Sequence, residues 1–329
     1  MEHWIGIDVS SETLDFALLD SEGVHLESAQ VANNGRAVLK LVGQWRKRHG
    51  VDPHKSLMCL EPTGHYTRPM LNLVVQQQWP AWLAHPLDIQ KSMGMKRAKT
   101  DKVDALRIAR YARTFREKSR LFTADNLRLD KLKHLLSRRK HLVRTRGKYK
   151  AHVADLNRFM DQDIQKAFDR MDKRQMKAMD KLIGDVDQMI TDQIAMDPKT
   201  QRQYELLLSI PGIGPQLASY LLAITDGFVR FSDPRELACQ AGVVPFERSS
   251  GTSVRGRAHV SYQANKTLKS LLHMAAMSAV QRAGELKVYY DRKVAEGKNR
   301  MSALNAVRNK LVHRACSVIR RDEPYTALR

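Results

Sequence analysis

Cysteine is scarce in this chain: Cys59, Cys239 and Cys316 are isolated, odd in number and without a CxxC pair. That excludes a disulfide framework and a cysteine zinc site, and leaves all three as packing residues. The twelve histidines contain no HExxH and no close paired spacing, so a histidine metal centre is not expected either. No run of about 18 uncharged apolar residues occurs, and neither end carries a basic amphipathic helix, which argues against a membrane partner. The N-terminus enters an apparent strand at once, without the basic, apolar and small-residue sections of a signal peptide, and so predicts an intracellular, cytoplasmic protein. Acidic residues are also few, 35 against 56 Lys and Arg, for a formal charge of +21. A polyanion, and nucleic acid in particular, is the partner such a balance implies.

What is present begins with three short β-rich segments, His3 to Val9, Thr13 to Leu19 and Val24 to Val31, separated by turn residues. A helical pattern from Arg36 to His49 follows, then an apolar strand from Ser56 to Leu60, a helix from Tyr66 to Gln78, a strand from Pro80 to His85 and a helix from Pro86 to Lys96. Three hairpin strands followed by helix, strand, helix, strand and helix is the order of an RNase H-like domain. Asp8 interrupts the apolar strand Trp4-Ile5-Gly6-Ile7 where Val or Ile is expected, and Glu61 stands at the end of the fourth strand. Asp101 and Asp104 share one face in the first turn of a helix that Thr100 is placed to cap. If that helix lies against the sheet, four carboxylates converge, and Mg²⁺ or Mn²⁺ would relieve their repulsion. As an ordinary alternative, Asp8 caps a turn while Asp101 and Asp104 complement a helix dipole. Glu12, Asp15 and Asp20 read as solvated strand or turn residues.

From Leu127 to Met160, and again from Ile164 to Ile194, apolar residues recur at three-, four- and seven-residue spacing, which predicts a helical hairpin or coiled coil. Between Arg128 and Lys150 stand ten Lys/Arg and one acid, more than pairing along a helix neutralises, so one face is expected to meet phosphate. Met171, Met176, Met179 and Met189 read as core filler. Pro211-Gly212-Ile213-Gly214, between two apolar helices, has the pattern of a helix-hairpin-helix, in which Gly212 and Gly214 would let backbone N–H groups hold a phosphate. Apolar periodicity returns in Tyr262 to Ala283 and Met301 to Ile319. Sixteen Lys/Arg against three acids lie between Arg248 and Arg321, with Lys298, Arg300, Arg308 and Arg314 as phosphate-contact candidates. The stretch from Phe246 to Arg257 sets four hydroxyls among Arg248, Arg255 and Arg257, with two glycines to free the backbone, and suits either a phosphate-holding loop or a solvated turn.

Gly6-Ile7-Asp8-Val9-Ser10, Glu61-Pro62-Thr63-Gly64, Lys99-Thr100-Asp101-Lys102-Val103-Asp104-Ala105, Pro211-Gly212-Ile213-Gly214 and Ser250-Gly251-Thr252-Ser253-Val254-Arg255-Gly256 occur together and in this order. In this the chain resembles, over nearly its whole length, the DEDD transposases of the insertion-sequence one-ten family, which include relatives of the pilin-gene invertases. The resemblance implies an N-terminal RuvC-like metal domain at 1–116, a coiled-coil dimerisation region at 117–200 and a mainly helical transposase domain at 201–329. It implies that Asp8, Glu61, Asp101 and Asp104 bind the metal, that Ser250 is the nucleophile, and that the protein acts on target and donor double-stranded DNA. It further implies guidance by a noncoding bridge RNA and assembly as a dimer or dimer of dimers. Because serine and acids lie some 150 residues apart, a composite site shared between subunits is expected. The alternatives are a RuvC-like nuclease or Holliday-junction resolvase using water as nucleophile, and a non-enzymatic protein that bridges nucleic acid.

Overall fold

The computed structural model describes the chain except residues 93–100, 232, 245, 251–253, 260–263 and 327–329; at Lys91, Asp101, Lys102, Asp125, 246–250 and 254–259 it describes the backbone alone. Two compact units result, Met1–Arg128 and Leu129–Arg329.

The first unit is built on strands β1 (His3–Val9), β2 (Thr13–Leu19), β3 (His25–Ala32), β4 (Ser56–Leu60) and β5 (Ala81–Leu83). They form one sheet in the order β3-β2-β1-β4-β5. The two hairpin pairs are antiparallel, whereas β1–β4 and β4–β5 are parallel and joined through helices α1 (Gly35–His49) and α2 (Arg68–Gln76). This is the RNase H-like arrangement that the element order predicts. Strand alternation sorts the sheet into two faces. Ile5, Ile7, Val9, Leu14, Phe16 and Leu18 meet Val38, Leu41, Val42 and Trp45 of α1 and Met70, Leu71 and Val74 of α2. On the other face, Trp4, Ala17, Leu19, Leu57 and Cys59 meet Ala105, Ile108, Ala109 and Ala112. These belong to α4 (Asp101–Thr114), which follows α3 (Pro86–Ser92). Asn34 caps α1 by accepting from the Ala37 N–H at 2.9 Å, and Gly50 closes that helix at φ +67°. Thr100, the expected cap of α4, lies outside the described residues.

Helix α5 (Ala124–Leu156) carries the chain into the second unit, where α6 (Gln162–Ala195) runs antiparallel to it. Arg139 pairs with Asp187, Arg146 with Asp180, and Tyr149 donates to Asp172. Leu129, Leu132 and Leu136 of α5 and Val186, Ile190 and Ile194 of α6 enter a single core with the helices that follow. These are α7 (Pro198–Leu208), α8 (Pro215–Ile224), α9 (Pro234–Gln240), α10 (Lys266–Gln281), α11 (Glu285–Ala295) and α12 (Arg300–Arg321). Strands β6 (Phe246–Ser250) and β7 (Val254–His259) form an antiparallel pair between α9 and α10.

Three expectations fail here. Met171 and Met189 are not core residues: they are 61% and 53% exposed, because in a pair of helices only one narrow seam of each is covered. Arg308 is buried at 6% exposure, its guanidinium reaching His273 Nδ1 and Asn305 Oδ1, so it is withdrawn from the surface where phosphate would be met. It stands four residues after Leu304 and three before Leu311, on the stripe of α12 that the other helices cover. Arg314 is engaged internally as well, in an ion pair with Glu285 and over the ring of Tyr325 at 4.7 Å.

Candidate active site

The acid site grows from the register of β1. Ile7 pairs with Leu60 of the parallel strand β4, so Asp8 and Glu61 follow at equivalent positions where the two strands end. Asp8 is half-buried, and its Oδ1 accepts from the Val9 N–H at 3.1 Å. Across the hairpin Asp8 is directly opposite Asp15, as Gly6 is opposite Ala17, which puts both aspartates on the face that carries α4. Asp15 is therefore not a solvated strand residue. It is 3% exposed and accepts from Gln30 Nε2 with both oxygens, at 3.2 and 3.0 Å, and Gln30 is its own cross-strand partner on β3. A polar row, Gln30-Asp15-Asp8-Glu61, thus crosses the sheet. Asp15 escaped the sequence reading because its burial depends on pairing with distant strands.

Helix α4 is held against this row at Gly6. A Cβ there would fall 2.1 Å from the Ala105 carbonyl oxygen and 2.3 Å from the Ala109 nitrogen, so only glycine admits the helix at this distance. Asp104, immediately before Ala105, is half-buried, and its Oδ1 accepts from Arg107 Nη1 at 2.9 Å. Arg107 supplies positive charge within a cluster that otherwise gathers negative charge. Asp101 opens α4, one turn earlier, and its side chain lies outside the described residues. Every donor in this set is a carboxylate oxygen, which fits Mg²⁺ or Mn²⁺ rather than a softer metal. Among the described residues, no three His, Cys, Asp or Glu side chains approach closely enough to enclose an ion. Beneath the row, burial and the charge of Glu61 push the Cys59 thiol up, so it stays protonated and packs as an apolar group.

The loops at this end of the sheet are tied together. Asn33 Nδ2 donates to the Ser10 carbonyl at 3.0 Å and to the Tyr66 carbonyl at 2.9 Å, joining the turn after Asp8 to the turn after Glu61. Thr67, 1% exposed, accepts from the Thr63 N–H at 2.8 Å, and Gly64 takes φ +61°. None of Gln30, Asn33 or Thr67 was singled out from sequence.

In the second unit, Ser250 is the last residue of β6 and pairs with Val254. Arg248 pairs with Gly256 and Ser249 with Arg255, while Arg257 lies on β7. The side chains of Ser250, Arg248, Arg255 and Arg257, and residues 251–253, lie outside the described part. What the structure adds is the root of this strand pair. Asn305 Nδ2 donates to the Val243 carbonyl at 2.7 Å, the Asn265 N–H to the Gln240 carbonyl at 2.7 Å, and the Tyr220 hydroxyl to Asn265 Oδ1 at 3.0 Å. Both ends of the serine-bearing segment are therefore anchored to helices. Gly212, at φ +95°, seats the turn between α7 and α8 on α10, where a Cβ would meet the Ala275 carbonyl oxygen at 2.7 Å. Gly214 precedes Pro215 as the N-cap of α8. Next to it, Gln216 donates to Asp187 Oδ1 at 2.8 Å.

An RNase H-like sheet ending in a row of carboxylates, joined to a helical unit rich in Lys and Arg, defines a class of proteins that process nucleic acid. Two family descriptions match this chain: a DEDD transposase of the IS110 family over residues 5–162, and a transposase of the IS116/IS110/IS902 family over residues 204–291. The chain belongs to the IS110 family of transposases, and is in consequence a DNA-processing enzyme. It is 26% identical over 330 residues to the pilin gene-inverting protein of Moraxella lacunata, covering 98% of this chain and 97% of that one. To the pilin gene-inverting protein of Moraxella bovis it is 27% identical over 331 residues, with the same coverage. An insertion element IS116 protein of 44.8 kDa from Streptomyces clavuligerus is 30% identical over 152 residues, 46% of this chain and 37% of that protein. Among solved structures, T. thermophilus RuvC in complex with a Holliday junction substrate aligns with 36% of this chain and 97% of its own, at 14% identity and a TM-score of 0.25. No helix among the described residues is long and apolar enough to cross a membrane.

Proposed function

We propose that this transposase cleaves and rejoins DNA through a covalent phosphoserine intermediate, with Ser250 as nucleophile and Asp8, Glu61, Asp101 and Asp104 as ligands of Mg²⁺ or Mn²⁺. The bound ion would neutralise charge on the phosphate and on the departing oxygen. Ser250 Oγ attacks the scissile phosphorus; the Oγ–P bond forms as the bond from phosphorus to the leaving sugar oxygen breaks. The proton lost by Oγ is balanced by the one gained by the leaving oxygen, which departs as a free hydroxyl. In the return step a hydroxyl of the exchanged strand attacks the phosphoserine, and Ser250 recovers its proton. Arg248, Arg255 and Arg257 hold the nonbridging oxygens in forked hydrogen bonds, and Gly212 and Gly214 shape a phosphate-holding turn of helix-hairpin-helix type.

The observation that carries this reading is the register of Ile7 with Leu60, which sets Asp8 and Glu61 side by side while α4, seated on Gly6, brings Asp104 to the same sheet face. Residues 1–116 are assigned to metal binding, 117–200 to dimerisation and 201–329 to the serine chemistry. Ile164, Phe168, Met171, Leu182 and Met189 are all exposed and leave an apolar stripe along α6, which supports assembly as a coiled-coil dimer or dimer of dimers. The charge of +21 supports a polyanionic partner; that the partners include a noncoding bridge RNA of the same element beside double-stranded DNA, and that the protein acts in the cytoplasm at the nucleoid, is what membership of the family implies.

The decisive test is a denaturant-stable protein–DNA adduct on end-labelled element DNA, formed in Mg²⁺ with copurified RNA present. Ser250→Ala is expected to abolish the adduct, while Ser249→Ala and Ser253→Ala retain it. Metal-dependent cleavage at the wild-type rate by Ser250→Ala would replace this mechanism with that of a RuvC-like nuclease or junction resolvase using water.

A further inference from the structure

Immediately after Glu61 the chain exposes two aromatic rings. His65 and Tyr66 lie on the short 3₁₀ turn Gly64–Thr67 with ring centroids 4.1 Å apart and planes inclined by 47°. Tyr66 remains 40% exposed although His65 takes part of its surface. Aromatic rings are expected in the core of a domain this size, and the unit buries Trp4, Phe16, Trp45, Trp79 and Trp82. The turn that carries His65 and Tyr66 is nevertheless firmly held. Asn33 binds the Tyr66 carbonyl with the same amide that binds Ser10, and buried Thr67 closes the turn on Thr63. An exposed ring on a backbone already fixed has only its two side-chain torsions to immobilise when a flat partner covers it.

We propose that His65 and Tyr66 form a stacking platform for one unpaired nucleobase of the DNA strand lying over the carboxylate row. Every base offers a π-face, so such a platform is indifferent to sequence, and exchanging strands takes bases beside the scissile phosphate out of their original duplex. The Asn33 tie couples the platform to both strand ends at once: Ser10 is two residues beyond Asp8, and Tyr66 five beyond Glu61. A base seated on Tyr66 thereby sets the register of its own phosphate against the acids. The assignment rests on the proposed role of those acids, and the test separates the two.

The full-length protein is titrated with a single-stranded oligonucleotide carrying 2-aminopurine, in EDTA so that no cleavage occurs, with fluorescence and anisotropy read across a salt series. Wild-type protein is expected to quench the 2-aminopurine. Tyr66→Leu should weaken binding about tenfold and lose the quenching while the salt dependence stays unchanged, since no phosphate contact is removed. Tyr66→Phe and Tyr66→Trp should bind within about twofold of wild type, because the ring and not the hydroxyl makes the contact. Wild-type quenching by Tyr66→Leu overturns the proposal, as does an equal loss in Tyr66→Phe, which would mean a role for the hydroxyl or the fold. Asp8→Asn should keep the quenching and lose metal-dependent cleavage. If instead it cleaves normally while Tyr66→Leu still loses quenching, the platform stands and the assignment of the acids falls.

Discussion

Replacing Gly6 by alanine probes the joint on which the acid site depends. The added Cβ would lie 2.1 Å from the Ala105 carbonyl oxygen, 2.3 Å from the Ala109 nitrogen and 2.9 Å from the Ala109 Cα, where ordinary contact begins at 3.4 Å. All three neighbours are helix backbone, so no rotamer change relieves them, and α4 must retreat by about 1 Å. A gap of that size forfeits roughly a quarter to a half of each contact that Ala105, Ile108, Ala109 and Ala112 make with the sheet. The cost belongs at the upper end of overpacking, about 3 kcal/mol, or roughly 10 °C in the thermal midpoint of a unit this size. Calorimetry and urea unfolding of the full chain measure it. Because the retreat also carries Asp104 away from Asp8, DNA cleavage should fall even at a temperature where the variant is fully folded. Ala109→Gly should not rescue Gly6→Ala, since the obstructing atoms remain. An unchanged midpoint, together with α4 unmoved in a crystal structure of the variant, would refute the reasoning.

Two further outcomes concern charge. Burial by itself would raise the Glu27 carboxyl, but its hydrogen bond with His49 at 2.8 Å and the charges of Arg48 and His49 outweigh it and hold the group below its ordinary 4.5. With the folded-state pKa depressed, Glu27 contributes stability above the unfolded-state value that is lost as pH falls through the folded one. Glu27→Gln should therefore cost up to about 1 kcal/mol in urea unfolding at neutral pH and nothing in strong acid; an equal cost at both would refute it. Arg308 loses solvation without gaining a carboxylate partner among the described residues, and burial lowers its pKa. Arg308→Met should match or exceed the wild-type thermal midpoint, while Arg308→Ala should lower stability by about 2 kcal/mol or more through the cavity it leaves. A Met variant as unstable as the Ala variant would show that the guanidinium itself is required.

Local pattern carried most of the fold. Alternation and helical spacing are properties of adjacent residues, so β1, β2 and β4 could be read to the residue, and β3, α1, α6 and α12 to within two or three residues at either end. Helix α11 was passed over because it buries only Leu286 completely and has little stripe to read, and short α9 because Leu237 and Ala238 are its whole apolar signal. Asp8 stood out for an equally local reason, a charge inside an apolar strand.

What sequence alone determined is most of the elements and their order, the excess of positive charge and the ordered motifs that mark the family. Tertiary structure decided which residues share a face. It buried Asp15 opposite Asp8, drew Arg308 into the core, left Met171 and Met189 outside, and bound the Ser10 and Tyr66 turns through one asparagine. The physical reason is range: secondary structure follows from neighbours within about four residues, whereas burial and partnership depend on strands and helices far along the chain. Gly6 joins the two levels, a residue with no side chain whose necessity appears only when Ala105 and Ala109 are laid across it.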